Sequence, residues 1–256
     1  MRLQSEIKVI VRETVIGGPG PVVCLPMVAE TKADLLNQAE DLKVFHPDLV
    51  EWRIDRYGKV GDIEDSLRAL AELRGKIDDI PLILTCRRES EGGFQKISQD
   101  IRLQLIVAAI RTGDVDIVDV EMGNEPEFVE SALQAARRQG VKLIFSYHNF
   151  NETPDEGFIH DKLAQAQNMG GDIAKVAVMP EGYKDVLRLL SATLRARTET
   201  VKIPIVTMSM GAEGGVTRLA GGLFGSDITF AIGNAASAPG QIPIQTLRQA
   251  MKAIYR

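Results

Sequence analysis

The chain has 256 residues, with 30 Lys and Arg against 35 Asp and Glu, a net charge of −5 that speaks against nucleic acid as its partner. At 45% hydrophobic and 25% charged residues, it has the composition of a soluble globular protein, which sets aside disordered, collagenous and coiled-coil classes. The longest apolar stretches, such as Ile203 to Met208, reach about a third of the roughly 20 residues that a membrane helix needs, so no membrane partner is expected.

The first eight residues include Glu6 and lack both a long apolar core and a small-residue cleavage site, which predicts a cytoplasmic location. Ile7 to Ile16 reads as two short strands, followed by the chain break Gly17-Gly18-Pro19-Gly20-Pro21. Eight runs rich in Val, Ile and Leu then begin near Val22, Leu49, Leu82, Ile117, Val141, Ile173, Ile205 and Ile228. Between them Lys32 to Lys43, Ile63 to Lys76, Gln99 to Arg111, Pro126 to Arg138, Phe158 to Met169 and Lys184 to Arg197 carry apolar residues at helical spacing, as does Ile242 to Ile254 after the last run. Gly214 to Leu223 is the weakest helical segment. Eight strand-helix units of this size predict a (β/α)8 TIM barrel, with the N-terminal hairpin closing its bottom and one domain over residues 1–256. A doubly wound sheet would want a Gly-rich dinucleotide fingerprint after the first strand, and none is present.

Side chains alternate along a strand, so in a barrel one set points inward and the other packs under the helices. Assigning Val50, Trp52 and Ile54 to the helices leaves Glu51 and Arg53 inside. The same rule turns Thr85 and Arg87, Asp119 and Glu121, Ser146 and His148, and Lys175 inward. Five consecutive strands thus aim polar groups at one cavity, mostly near strand C-terminal ends, where barrel enzymes place their chemistry. For Arg53 and Arg87 the plainer reading is a structural ion pair with Glu51, Asp55 or Glu91. His46 and His160 lie in helix or loop segments, and Cys24 and Cys86 read as small buried hydrophobes without metal-ligand spacing.

A lysine between Ala174 and Val176, sharing a cavity with Arg53, Arg87 and Arg218, is expected to have a lowered pKa from like charge and desolvation and to act as an amine nucleophile. From a reference near 10.4, about one lysine in 2,500 is neutral at pH 7. An imine acidifies the neighbouring carbon, and neutral His148 suits as the base and later the acid for a leaving hydroxyl. The arginines imply a carboxylate substrate.

The motifs Glu51-Trp52-Arg53-Ile54-Asp55, Thr85-Cys86-Arg87 with Glu91-Gly92-Gly93, Ser146-Tyr147-His148-Asn149-Phe150, Lys175-Val176-Ala177, Met208-Ser209-Met210-Gly211, Arg218 and Ala236-Ser237-Ala238-Pro239-Gly240-Gln241 follow one another along the chain. In this the sequence resembles the type I 3-dehydroquinate dehydratases. The resemblance implies a barrel that dehydrates 3-dehydroquinate to 3-dehydroshikimate without metal or other cofactor, as a homodimer. It implies that Lys175 forms the imine, that His148 is the acid and base, and that Glu91 supports it. Arg218, Ser237 and Gln241 are implied as carboxylate clamp and lid, and Glu51, Arg53 and Arg87 as the hold on the ring hydroxyls. Cys86, Arg88 and Thr217 depart from the more usual Phe, Ser and Ser. The small-residue loop Gly233 to Gln241 fits a lid over the barrel mouth. Two other readings compete: a class I Schiff-base aldolase, with Gly214-Gly215 and Gly221-Gly222 as phosphate cradles, and a non-catalytic metabolite-binding barrel.

Overall fold

The computed structural model describes residues 2–233 and 237–255. Strands β1 (Val9–Val11) and β2 (Thr14–Ile16) form the expected antiparallel hairpin, Val9 opposite Ile16. The barrel strands are β3 (Val22–Met27), β4 (Leu49–Arg53), β5 (Leu82–Thr85), β6 (Ile117–Glu121), β7 (Lys142–Asn149), β8 (Ile173–Val178), β9 (Ile205–Ser209) and β10 (Ile228–Ile232). From β3 to β9 neighbours pair in parallel in chain order, and β10 returns to pair with β3. Between them run α1 (Lys32–Phe45), α2 (Ile63–Ile77), α3 (Gln99–Thr112), α4 (Pro126–Gln139), α5 (Glu156–Asn168), α6 (Tyr183–Arg195) and the short α7 (Gly215–Ala220), with α8 (Ile244–Ile254) after β10.

The helices start where the chain supplies an acceptor for their first free N–H groups. Thr31, Asp62, Ser98 and Asp155 each accept from the amide three residues on, and α4 begins with Pro126 at its first turn. Asp155 starts α5 two residues before the expected Phe158. At the C-terminus, Ile242–Pro243 instead forms β11, pairing with Ala231 and Ile232 of β10, so α8 begins at Ile244. Pro243 keeps an extended ψ of 135° there, and its missing N–H costs the first helical turn nothing.

Two apolar layers result. Val50, Trp52, Leu84, Val118, Phe145 and Val176 pack outward against the helices, while Val22, Cys24, Leu49, Ile83, Ile117, Ile144, Ile173 and Val206 fill the barrel floor. Val9, Val11 and Ile16 of the hairpin join the floor cluster, so the hairpin does plug the bottom. The seam between β9 and β10 holds a single bridge among the described residues, Ile205 to Ser226, and is reinforced by Asp227. The buried Asp227 carboxylate accepts from the Ile205 amide at 2.8 Å, from Arg197 at 2.5 Å, from Ser5 at 2.9 Å and from Arg2, tying the N-terminal arm to the closure. With the floor apolar, polar interior residues gather in the upper half.

Candidate active site

The inward parity holds on every strand to which it was applied. Glu51, Arg53, Thr85, Arg87, Asp119, Glu121, Ser146 and Lys175 are all buried, and His148 lies at the upper end of β7. Strand register sets Glu121 beside Ser146 and Ser146 beside Lys175, and Arg53 beside Thr85 and Thr85 beside Asp119. One cavity is lined by Glu51, Arg53, Arg87, Glu91, His148, Lys175, Ser237 and Gln241, together with Phe150, Ala177, Met208, Met210, Phe230 and Ala238. Eight of the nine expected site residues therefore meet in one place. Arg218 lies at its edge, donating to Phe230 O at 3.3 Å and Pro239 O at 3.0 Å, with the Met208 sulfur 3.9 Å away.

The apolar lining was legible in part, since the same alternation turns Met208 and Phe230 inward on β9 and β10. Following ionisable residues alone passes over them. Neither Gly214-Gly215 nor Gly221-Gly222 lines the cavity, which leaves the phosphate cradle of an aldolase without a place there.

Charge in the barrel is nearly all paired. Arg53 grips Asp55 through Nε and Nη2, both at 2.9 Å, and Asp55 also accepts the Arg87 and Phe94 amides, so it knits the loops after β4 and β5 together. Arg87 Nη1 lies 2.8 Å from Asp119 and 3.0 Å from Glu121. Glu121 is held from behind by Arg102 of α3 and by Asn124 at 3.0 Å. The structural ion pairs weighed for the two arginines thus exist: Arg53 pairs with Asp55, one of the partners weighed, whereas Arg87 pairs with Asp119 and Glu121, which were not. Arg218 is the exception. Among the described residues no carboxylate lies within ion-pair reach of it, and burial alone pushes its guanidinium down to about 10. A buried cation without an anionic partner is a ready seat for an anion.

Around Lys175 the surroundings differ from the expectation. Its ammonium lies 2.8 Å from Asp119 Oδ2 and 3.8 Å from Glu51, so its nearest charges are carboxylates instead of guanidinium groups. The Phe230 ring centre is 4.8 Å from Nζ.

His148 and Glu91 form a second unit. The backbone N–H of His148 donates to Glu91 Oε2 at 2.9 Å, and ring Nδ1 lies 3.2 Å from the same oxygen. Burial pushes the imidazole well below its usual range, and the positive charges of Arg87 and Lys175 add to this. Burial also pushes the Glu91 carboxyl up to about 7. The turn that presents Glu91 needs glycine: Gly92 has φ +85°, and a Cβ on Gly93 would run into the backbone carbonyls of Arg87 and Arg88.

At the mouth Gln241 Oε1 accepts the Ser237 amide at 2.8 Å and its Nε2 donates to Ser237 Oγ at 3.2 Å. Gly240, at φ +74°, sits so close to the Gly211 carbonyl that a side chain there would collide. The loop thus rests on the turn after β9. Positions 234–236 of the expected lid, including Ala236 of its motif, lie outside the described residues. His160 is satisfied by Asp161 and Thr200, and both cysteines are buried and free.

A closed ring of parallel strands with a lysine, a neutral histidine and an arginine lacking a carboxylate partner around its C-terminal mouth is an enzyme of the α/β barrel class. The chain belongs to the type I 3-dehydroquinase family, whose sequence model matches residues 23–256. The 3-dehydroquinate dehydratase of Aromatoleum aromaticum is 42% identical over 245 residues, 95% of this chain and 94% of that protein. The crystal structure of 3-dehydroquinate dehydratase from Geobacillus kaustophilus superposes with a TM-score of 0.95 at 40% identity, covering 99% of this chain and 98% of that one. The type I 3-dehydroquinate dehydratase of Clostridium difficile, solved with covalent modified comenic acid, gives a TM-score of 0.94 at 39% identity, over 97% and 98% of the two chains.

Proposed function

We propose that this protein converts 3-dehydroquinate to 3-dehydroshikimate and water through an imine on Lys175. The observation that carries the proposal is that Lys175 and His148 line the same cavity, beside a buried arginine free to take a carboxylate. The substrate carboxylate sits on Arg218, and the ring hydroxyls face Glu51, Arg53 and Arg87. The nitrogen of Lys175 adds to the C3 carbonyl, and loss of water gives the iminium.

The iminium draws electrons from C2, so its proton becomes removable by a base of modest strength. With Nδ1–H donated to the Glu91 carboxylate, His148 presents the Nε2 lone pair to that proton. The resulting imidazolium is stabilised by the same carboxylate and returns the proton to the C1 hydroxyl as it leaves. Hydrolysis of the product imine restores Lys175. Ser237 and Gln241 close over the carboxylate, and exclusion of water there strengthens the Arg218 contact. The covalent modified comenic acid held by the Clostridium difficile relative supports a nucleophile in this family's site. The proposal extends to one catalytic barrel domain, acting in the cytoplasm as a homodimer, which light scattering of the purified protein tests.

Incubating the protein with 3-dehydroquinate and borohydride, then mapping added mass by peptide sequencing, tests the chemistry. The expected result is a reduced adduct on Lys175, with conjugated product in the untreated sample. Product without any adduct would overturn the imine route, and neither product nor adduct would overturn the reaction.

A further inference from the structure

Imine formation has a fixed charge balance. An ammonium and a ketone give an iminium and water: the ammonium first releases a proton, the electron pair of that N–H bond forms the C–N bond, and the released proton and one further N–H proton leave with the carbonyl oxygen as water. Nitrogen therefore carries one positive charge at the start and at the end. In a buried cavity that charge is costly unless an anion stays beside it.

We infer that Asp119 is the counter-ion of the Lys175 nitrogen throughout the reaction, pairing with the ammonium before attack and with the iminium N–H after it. This inference rests on the imine reading and assigns a further catalytic residue to it. Asp119 Oδ2 is 2.8 Å from Nζ, and the carboxylate is fully buried. It cannot turn away, because Ser146 Oγ at 2.6 Å and Arg87 Nη1 at 2.8 Å hold its other oxygen. Glu51, the only other carboxylate near Nζ among the described residues, is 3.8 Å away and already accepts the Thr85 hydroxyl at 2.7 Å. The face of Phe230 attends the same charge from β10.

The other titratable groups facing this point do not serve. Burial pushes the Cys24 thiol of β3 up and the His148 imidazole of β7 down, so both are neutral near pH 7. Arg53 and Arg87 carry the same sign as the nitrogen. Asp119 is an anion that persists: burial works to raise its carboxyl, but Arg87 and Lys175 hold it well below the usual range.

The test uses Asp119→Asn with 3-dehydroquinate and cyanoborohydride, a reagent that reduces the protonated imine. Total imine is measured separately by native mass spectrometry of the unreduced complex. Loss of an adjacent opposite charge should move the pH at which reduction per imine falls off downward by about one to three pH units, so that above it reduction is at least about tenfold slower than in wild type. The same fall-off pH in both proteins would overturn the inference even if turnover drops, and would leave Asp119 a structural role. Wild-type protein that makes product without any imine would overturn the imine reading itself. If Asp119→Asn does not fold, the wild-type complex carries the test. Its C=N stretch should shift in D2O up to about pH 9, and a stretch insensitive to D2O near pH 8 would overturn the inference.

Discussion

Replacing Glu91 with Gln separates two consequences of one buried carboxylate. Burial lifts this group from 4.5 to about 7, so the folded protein binds a proton there that the unfolded chain has already lost. The lift corresponds to about 3 kcal/mol once both states are ionised. The sign follows from proton uptake: wild-type stability falls as pH rises from about 4.5 to 7 and is level on either side of that window. Gln keeps an oxygen for the His148 amide at 2.9 Å without the charge. Glu91→Gln should therefore gain stability over wild type, with the gain growing by about 2 kcal/mol between pH 5 and pH 8 in urea titrations. Catalysis should move the other way. Wild-type turnover should rise with pH through about 7 as Glu91 ionises and fixes Nδ1–H of His148. In the Gln variant that limb should vanish, and turnover at pH 8 should drop about tenfold because the imidazolium loses its anion. A gain in stability independent of pH, or a variant that keeps the limb near pH 7, would refute this account of the pair.

Arg218→Met removes a buried cation with no carboxylate partner, so it should raise the melting temperature. It should also raise KM roughly 30-fold through loss of about 2 kcal/mol of charged hydrogen bonding, and unchanged KM would place the substrate carboxylate elsewhere. Arg102→Ala strips Glu121 of its buried partner and should cost about 3 to 5 kcal/mol in chemical denaturation, whereas a loss below about 1 kcal/mol would show that Arg87 and Asn124 suffice. Gln241→Ala should raise KM and slow turnover while borohydride still traps the imine, and unchanged kinetics would remove the loop from the mechanism.

Much of this was legible in the sequence because two periodicities are local. Alternation along strands separated Glu51, Arg53, Arg87 and Lys175 from the residues under the helices, and helical spacing of apolar residues placed the crossovers. Short segments carried less: Gly215–Ala220 is a helix of one and a half turns, and Ile242–Pro243 joined the sheet beside Ala231 and Ile232 at the upper end of β10. Parity names the residues that enter a barrel but not which of them touch. That Asp119 lies beside Lys175, while Arg53 turns to Asp55 and Arg87 to Asp119 and Glu121, is set by side-chain positions in the assembled barrel. Residue order alone was thus enough for the strand-helix rhythm, the inward polar set and the family. The pairing of charges, which leaves Arg218 open and Lys175 beside a carboxylate, came only with the folded barrel, because those partners lie tens of residues apart and meet when its strands close.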